Sequence, residues 1–477
     1  MTQRKFKFVE DFIDPETGAP YEDTGSPKEV ETKHFGKVTL HQIAKITYEK
    51  QTEIQRKAVY DKKEKRLTEG EEYEVVSYFE KMGQKGGWIE KMGNLSQDKD
   101  SSAWVETSGI VCGNAFVSED AVVSGEVGES AVIKGSAKVT GQGAVGGSAY
   151  VFGEAEISAS STDVPVRGNA RISGKVKGTA IVEGFSEVGS DAEVSGNAYV
   201  GGEAKVYNKV EGNAKVQGNA IVYGTVSGNA IVEGSAVIME TGQVSGNAKV
   251  VNGIIAGSVS GNAVVGDVSE EDSGSGIPIL KANASISGDA KVSENSITSG
   301  KVGDKAEVKG NSTVGVLGNV SGQSVAEGNA SVLASVSGQS KAIGGSLVKG
   351  NVSGTSTVTG GSLVGGTVNS ANVSGSSIAA GLVDGNATLQ DGAIVTESGH
   401  LSKSTASGNS RTGALNSGGA SGNSIVCRDN SAGATGNSVV FGDKVKGIGN
   451  QVVDEKGDDT EPDTEALKIA VVCEVKS

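Results

Sequence analysis

Large side chains are scarce over most of this sequence. Of its 20 aromatic residues, 12 lie in residues 1–105, and beyond Tyr223 only Phe441 remains. A conventional core of bulky side chains therefore cannot extend along all 477 residues. Cysteine is equally sparse. Cys112, Cys427 and Cys473 stand far apart and are odd in number, which excludes a disulfide framework and a zinc spacing. No apolar run approaches the roughly 20 residues that span a bilayer, so no membrane insertion is expected. Positive charge is in deficit: 43 Lys and Arg against 58 Asp and Glu leave a net charge of −15. Such a chain repels a phosphate backbone, and nucleic acid is not expected as a partner. The opening stretch MTQRKFKFVEDFIDPE has charge but no apolar h-region, and it does not read as a secretory signal. Folding in a reducing cytoplasm is expected.

Glycine is what the sequence has in excess, with 72 residues, about twice the usual share. Collagen needs glycine at every third position, and that period is missing. From about residue 111 the pattern is small, x, aliphatic, x, glycine, x, as in Ala198-Tyr199-Val200-Gly201-Gly202-Glu203-Ala204-Lys205-Val206. Alternate residues of a strand face opposite sides. Alanine, valine and glycine thus share one side, while Asn, Lys, Glu, Ser and Tyr share the other. Glycine at the turning points allows tight corners. Short strands joined by such corners wind into a β-solenoid.

The inward aliphatics fix the coil. From Val176 they fall at 182, 188, 194, 200, 206, 210, 216, 222 and 226, in steps of six with an occasional four. Val320-Ser321-Gly322 returns at Val336 and Val352, and Val368 keeps the same step of two sixes and a four. Toward the C-terminus Ala406-Ser407-Gly408 recurs at Ala420 and again as Ala434-Thr435-Gly436, at a shorter step, and the inward residues shrink to Ala, Ser and Thr. The expectation is an all-β parallel solenoid over 106–451, with coils of about 16–18 residues narrowing to about 14. Pro165 and Pro278, where the alternation slips, mark loops bulging from it.

Residues 1–105 lack the repeat. Tyr48–Arg66 is rich in helix formers and ends in a basic run, which predicts a helix; Glu69–Glu80 alternates in part and predicts a strand. A small α+β domain results, placed to cap the first coil or to attach to a partner, two compatible roles. Residues 452–477 comprise an acidic linker, Asp454–Glu465, and a glycine-free strand candidate, Ala466–Val475, which either caps the thin end or pairs with another chain.

The junction reads Gly86-Gly87-Trp88-Ile89-Glu90, Asn94-Leu95-Ser96, Ala103-Trp104-Val105 and Gly113-Asn114-Ala115-Phe116-Val117. This order resembles the hexapeptide-repeat β-helix proteins of bacteriophage and prophage genomes, over residues 86 to about 265 well and beyond them loosely. The resemblance implies a left-handed coil. Gly86, Gly87, Trp88, Asn94 and Trp104 are the expected junction residues, with the two tryptophans plugging the first coil.

The sequence departs from the acyltransferase branch of hexapeptide proteins. Glycine falls two positions after the aliphatic, and one side of the coil is commonly shortened to four where those enzymes keep three full hexapeptides. The histidine base such enzymes use has three candidates, His34, His41 and His400; the first two precede the repeat, and His400 reads as a surface residue. No paired carboxylates of a depolymerase, calcium repeats or zinc ligands stand out. No catalytic, cofactor-binding or metal site is expected. Tyr199 and Tyr223, one residue from inward positions, face outward as candidates for a shallow glycan or protein contact.

The expectation for function is a non-enzymatic fibre or spike component of a bacteriophage virion. Residues 1–105 would dock to other virion proteins and the shaft would project outward. A host-surface glycan adhesin is the alternative, with an acyltransferase-like or cytoplasmic scaffold protein behind it. A homotrimer suits a three-sided fibre, and a monomeric rod would also be stable.

Overall fold

The computed structural model describes residues 5–13, 19, 27–61, 66–159, 165–266, 276–426, 431, 433–437, 439–440 and 452–453. The predicted linker Asp454–Glu465 and strand Ala466–Val475 lie outside them. The chain divides into two compact units, Met1–Tyr207 and Asn208–Ser477.

The first unit begins with antiparallel structure. Strand β1 (Phe6–Phe8) pairs with β3 (Gly36–Asp61) at Phe6↔Lys45, and β2 (Lys28–Thr32) pairs with β3 from Lys28↔Leu40 to Thr32↔Gly36. Strand β3 then pairs with β4 (Arg66–Ile89) from His41↔Ile89 out to Asp61↔Arg66. The sequence predicts a helix over Tyr48–Arg66, but Tyr48–Asp61 and Arg66 are strand, and the described residues of the N-terminal region are β rather than α+β. Helix propensity is a weak prior. The stretch Tyr73–Phe79, rich in Val, Tyr and Phe, supplies a partner strand that overrides it. The strand read over Glu69–Glu80 is present, inside β4. Among the described residues the only helical turns are the 3₁₀ turns Val9–Asp11 and Met92–Asn94. A small core of Val9, Phe12 and Ala44, flanked by Ile46 and Met82, holds the base of the sheet.

The parallel ladder starts inside this segment. Trp88–Ile89, the end of β4, pairs with β6 (Ile110–Val111); Leu95 bridges to Val117 of β7 (Phe116–Val117); and β5 (Trp104–Val105) pairs with β8 (Val122–Val123). These three pairings begin three columns of inward residues: Ile89–Val111–Val127, Leu95–Val117–Ile133 and Val105–Val123–Val139, all at most 1% exposed. The inward positions read from the sequence, Val176 to Val206 in the first unit and Val210 to Val226 in the second, are all buried. Each valine contributes roughly 1.5–3 kcal/mol, shared with the coils on either side.

Coil length varies as the repeats foretold. The step from Val105 to Val123 is a full one, the next, from Val123 to Val139, is shorter, and the late step from Val426 to Val440 is shorter still. Two coils are longer than any of these. They are the ones that lead from Val145 to Val166 and from Val259 to Ile286. The ladder resumes at the prolines: Val182 N–H donates to Pro165 O, and Ile254 N–H donates to Pro278 O.

The recurring Gly-Asn-Ala now has a structural account, seen in the second unit. Gly246 has φ +71, and a Cβ there would lie 3.0 Å from the backbone N and O of Gly261 in the next coil. Asn247 N–H donates to Gly261 O at 2.8 Å. Its side chain extends a ladder, Asn213–Asn229–Asn247–Asn262, with steps of 2.9, 2.9 and 3.0 Å. Ala248 points inward, fully buried. Further on serine replaces the alanine. Ser324, Ser340 and Ser356 are fully buried, and each hydroxyl donates to the carbonyl three residues back at 2.6–2.7 Å.

Candidate functional site

The junction residues come together where β4 meets the first coil. Gly86 and Gly87 are required by close approach. A Cβ on Gly86 would lie 2.5 Å from the Trp104 ring and 2.9 Å from Ile43, and one on Gly87 would lie 2.1 Å from Glu106 O. Asn94 is fully buried and serves two chains of bonds. Its Oδ1 accepts from Lys91 N–H at 2.8 Å, and its Nδ2 donates to Gly113 O at 3.2 Å and to Ala115 O at 2.8 Å. It ties the 3₁₀ turn to the coil beyond.

The tryptophans do not plug the bore. Each precedes an inward residue, so strand alternation points it outward, and Ile89, Leu95 and Val105 occupy the bore. The N-terminal strands cover both rings. Lys28 Nζ lies 3.4 Å from the Trp88 ring centroid, and Lys45 Nζ lies 4.8 Å from that of Trp104. Trp104 is 7% exposed, and its indole N–H finds no acceptor among the described residues.

A second contact, which the sequence did not signal, clasps the flank. The turn between β2 and β3 folds over the face carrying Glu126. His34 Nδ1 lies 2.8 Å from Glu126 Oε2, and Lys33 N–H donates to Glu126 Oε1 at 3.3 Å. Phe35 lies against two glycines: a Cβ on Gly128 would meet its ring at 2.5 Å, and one on Gly146 at 2.9 Å. Absent side chains at 128 and 146 make the recess that the ring fills.

On the outward faces, polar and aromatic side chains bond to one another from coil to coil. In the first unit Lys134 Nζ and the Arg171 guanidinium lie 5.2 and 5.3 Å from the Tyr150 ring centroid, and Phe152 packs beside it at 5.2 Å. Tyr199 is partly buried, its ring laid over Gly201, and its hydroxyl donates to Glu183 Oε1 at 2.6 Å. Arg167 Nε donates to the other oxygen of Glu183. The Tyr199 hydrogen bond, aided by Arg167, holds the Glu183 carboxyl below its usual range, and Glu183 in turn raises the Tyr199 phenol. Tyr223, 40% exposed, belongs to the second unit.

Each histidine is paired with a carboxylate: His34 with Glu126, His41 with Glu10, and His400 with Asp384 at 3.0 Å. His41 also stacks on Phe8 at 4.3 Å. His400 lies in the strand His400–Ser402 with a third of its side chain exposed. Burial alone would raise the Asp384 carboxyl. Hydrogen bonds from Ser402 and His400, with the charges of His400 and Lys403, outweigh it and lower it. Cys112 is buried, and its thiol is pushed up to about 12, by burial first and then by Glu90, Glu126 and Glu129. Such a thiol is not a nucleophile at neutral pH. Among the described residues no group of three His, Cys, Asp or Glu could hold a metal ion. No helix among them is long and apolar enough to cross a membrane. Compared with models of protein families and with curated proteins, the sequence matches none.

Proposed function

We propose that the chain is a non-enzymatic structural component of a bacteriophage particle, a fibre or spike assembled in the host cytoplasm. Residues 1–105 dock to other virion proteins, and the solenoid projects from them. The observation that carries this reading is the self-directed chemistry of the coil faces. Outward Asn, Glu, Arg and Tyr bond to their counterparts in the next coil, as in Asn213–Asn229–Asn247–Asn262 and Arg167–Glu183–Tyr199. Side chains so used stiffen a shaft and leave little to converge on a substrate. The GGWIE…NLS…AWV…GNAxV resemblance to phage hexapeptide-repeat proteins adds the virion.

One observation favours the adhesin as second reading. The Lys134, Tyr150, Phe152 and Arg171 stack places aromatic rings and cations together on an outward face, as recognition of an acidic glycan requires. Density-banded particles from the source phage or induced host, analysed by mass spectrometry, test the first reading: stoichiometric copies support it, and absence from particles overturns it. Binding of the full chain to host envelope preparations, lost on Tyr150→Ala, would favour the second.

A further inference from the structure

The outer part of the β3–β4 ribbon is paired only with itself among the described residues. Strand β1 covers β3 at Ile43–Lys45, β2 covers it at Gly36–Leu40, and β6 covers β4 at Trp88–Ile89. From Thr47↔Lys81 to Asp61↔Arg66 each strand has, among the described residues, one neighbour and one open edge. An isolated two-stranded ribbon is marginal in water, and open edges attract further strands.

The direction of the open groups can be read. Ile46 N–H donates to Lys5 O at 2.9 Å, away from β4. The register holds without a shift from Ile46↔Met82 to Arg56↔Glu72. Backbone alternation therefore turns the N–H and C=O of Tyr48, Lys50, Thr52 and Ile54 to the open edge of β3. Those of Glu74, Val76, Tyr78 and Glu80 turn to the open edge of β4. Charge then selects how edges meet. At one level of the ribbon β3 carries Arg56 and Lys57, whereas β4 carries Glu69, Glu71, Glu72 and Glu74. Two β4 edges would bring acid against acid, while a β3 edge against a β4 edge brings base against acid.

We infer that the β3–β4 ribbon is a self-association element, in which the β3 edge of one copy adds to the β4 edge of a second copy. Every copy offers one edge of each kind. A closed ring of copies thus leaves no edge open, whereas a foreign single strand would satisfy one edge and expose the other. The inference stands apart from the fibre reading, since a protein absent from particles can still form the ring.

Thr52→Pro and Val76→Pro test it in the full chain. Each removes an outward N–H and keeps the bonds within the ribbon, because proline is tolerated on an edge. By native mass spectrometry at micromolar concentration the wild type is expected to be a closed oligomer and each variant a monomer. Mixing the two variants is expected to give a one-to-one heterodimer through the two intact edges, which misfolded chains would not form. A monomeric wild type, variants as oligomeric as wild type, or a mixture that stays monomeric would each overturn the inference.

Discussion

Thr298 occupies an inward position between Leu280 and Val314, fully buried, with its hydroxyl unpaired among the described residues. A buried hydroxyl without a partner costs about 1–3 kcal/mol, and valine has the same shape without that cost. Thr298→Val is expected to stabilise its coil by about 1 kcal/mol, read as slower amide hydrogen exchange at Ile279 and Ile297. Ser324→Ala should give no such gain, because the Ser324 hydroxyl is satisfied by Ser321 O. The sequence distinguishes inward from outward at both positions through parity alone. Whether an inward hydroxyl finds a carbonyl depends on corner geometry, which spacing does not encode. Parity also applies to Trp88 and Trp104. Each stands directly before an aliphatic, which marks it as outward, and reading the pair as a plug placed ring size above position.

At the scale of elements, the β2–β3 turn clasps the flank through Phe35 and His34. Phe35 is half-buried, and Phe35→Ala would empty the recess over Gly128 and Gly146 with a loss of about 1–2 kcal/mol, less than for a fully buried aromatic. That loss falls on the clasp and not on the ladder, whose valines are untouched. Limited proteolysis of the Phe35→Ala protein should therefore cut within 27–40 while the coils stay intact; cleavage spread through the coils would show that the clasp holds the ladder itself. Gly128 and Gly146 directly follow Val127 and Val145, at outward parity, whereas the corner glycines fall two after the aliphatic; that parity marks bare outward positions but not what covers them, so the sequence could not announce the clasp. The coil strands were legible because their period is local. The long ribbon was not, because Tyr48–Arg66 has a local preference for helix, and the strand state of Tyr48–Asp61 depends on its pairing with residues 66–80.

At the scale of the whole molecule, Glu183, Glu233 and Asp384 are shifted in the same direction. Tyr199 lowers Glu183, Lys249 lowers Glu233, and Ser402 with His400 lowers Asp384 against its burial. A carboxyl depressed in the folded state contributes stability above its unfolded pKa, about 3.9–4.3, and loses that contribution as pH falls through the folded value. The melting temperature should hold from pH 7 to about 5 and fall below about 4, and Glu233→Gln should flatten that fall. The variable coils carry a different consequence. A turn as short as the one from Val426 to Val440 and one as long as that from Val259 to Ile286 each deliver the chain to its ladder, one strand spacing further on. Axial distance is thus counted in turns and not in residues. The long coils from Val145 to Val166 and from Val259 to Ile286 each make a single step, and a small insertion in such a turn leaves the count unchanged. A gene encoding such a protein can accept short insertions within a turn with the spacing of the neighbouring turns preserved, whereas a change of reach requires gaining or losing a whole turn.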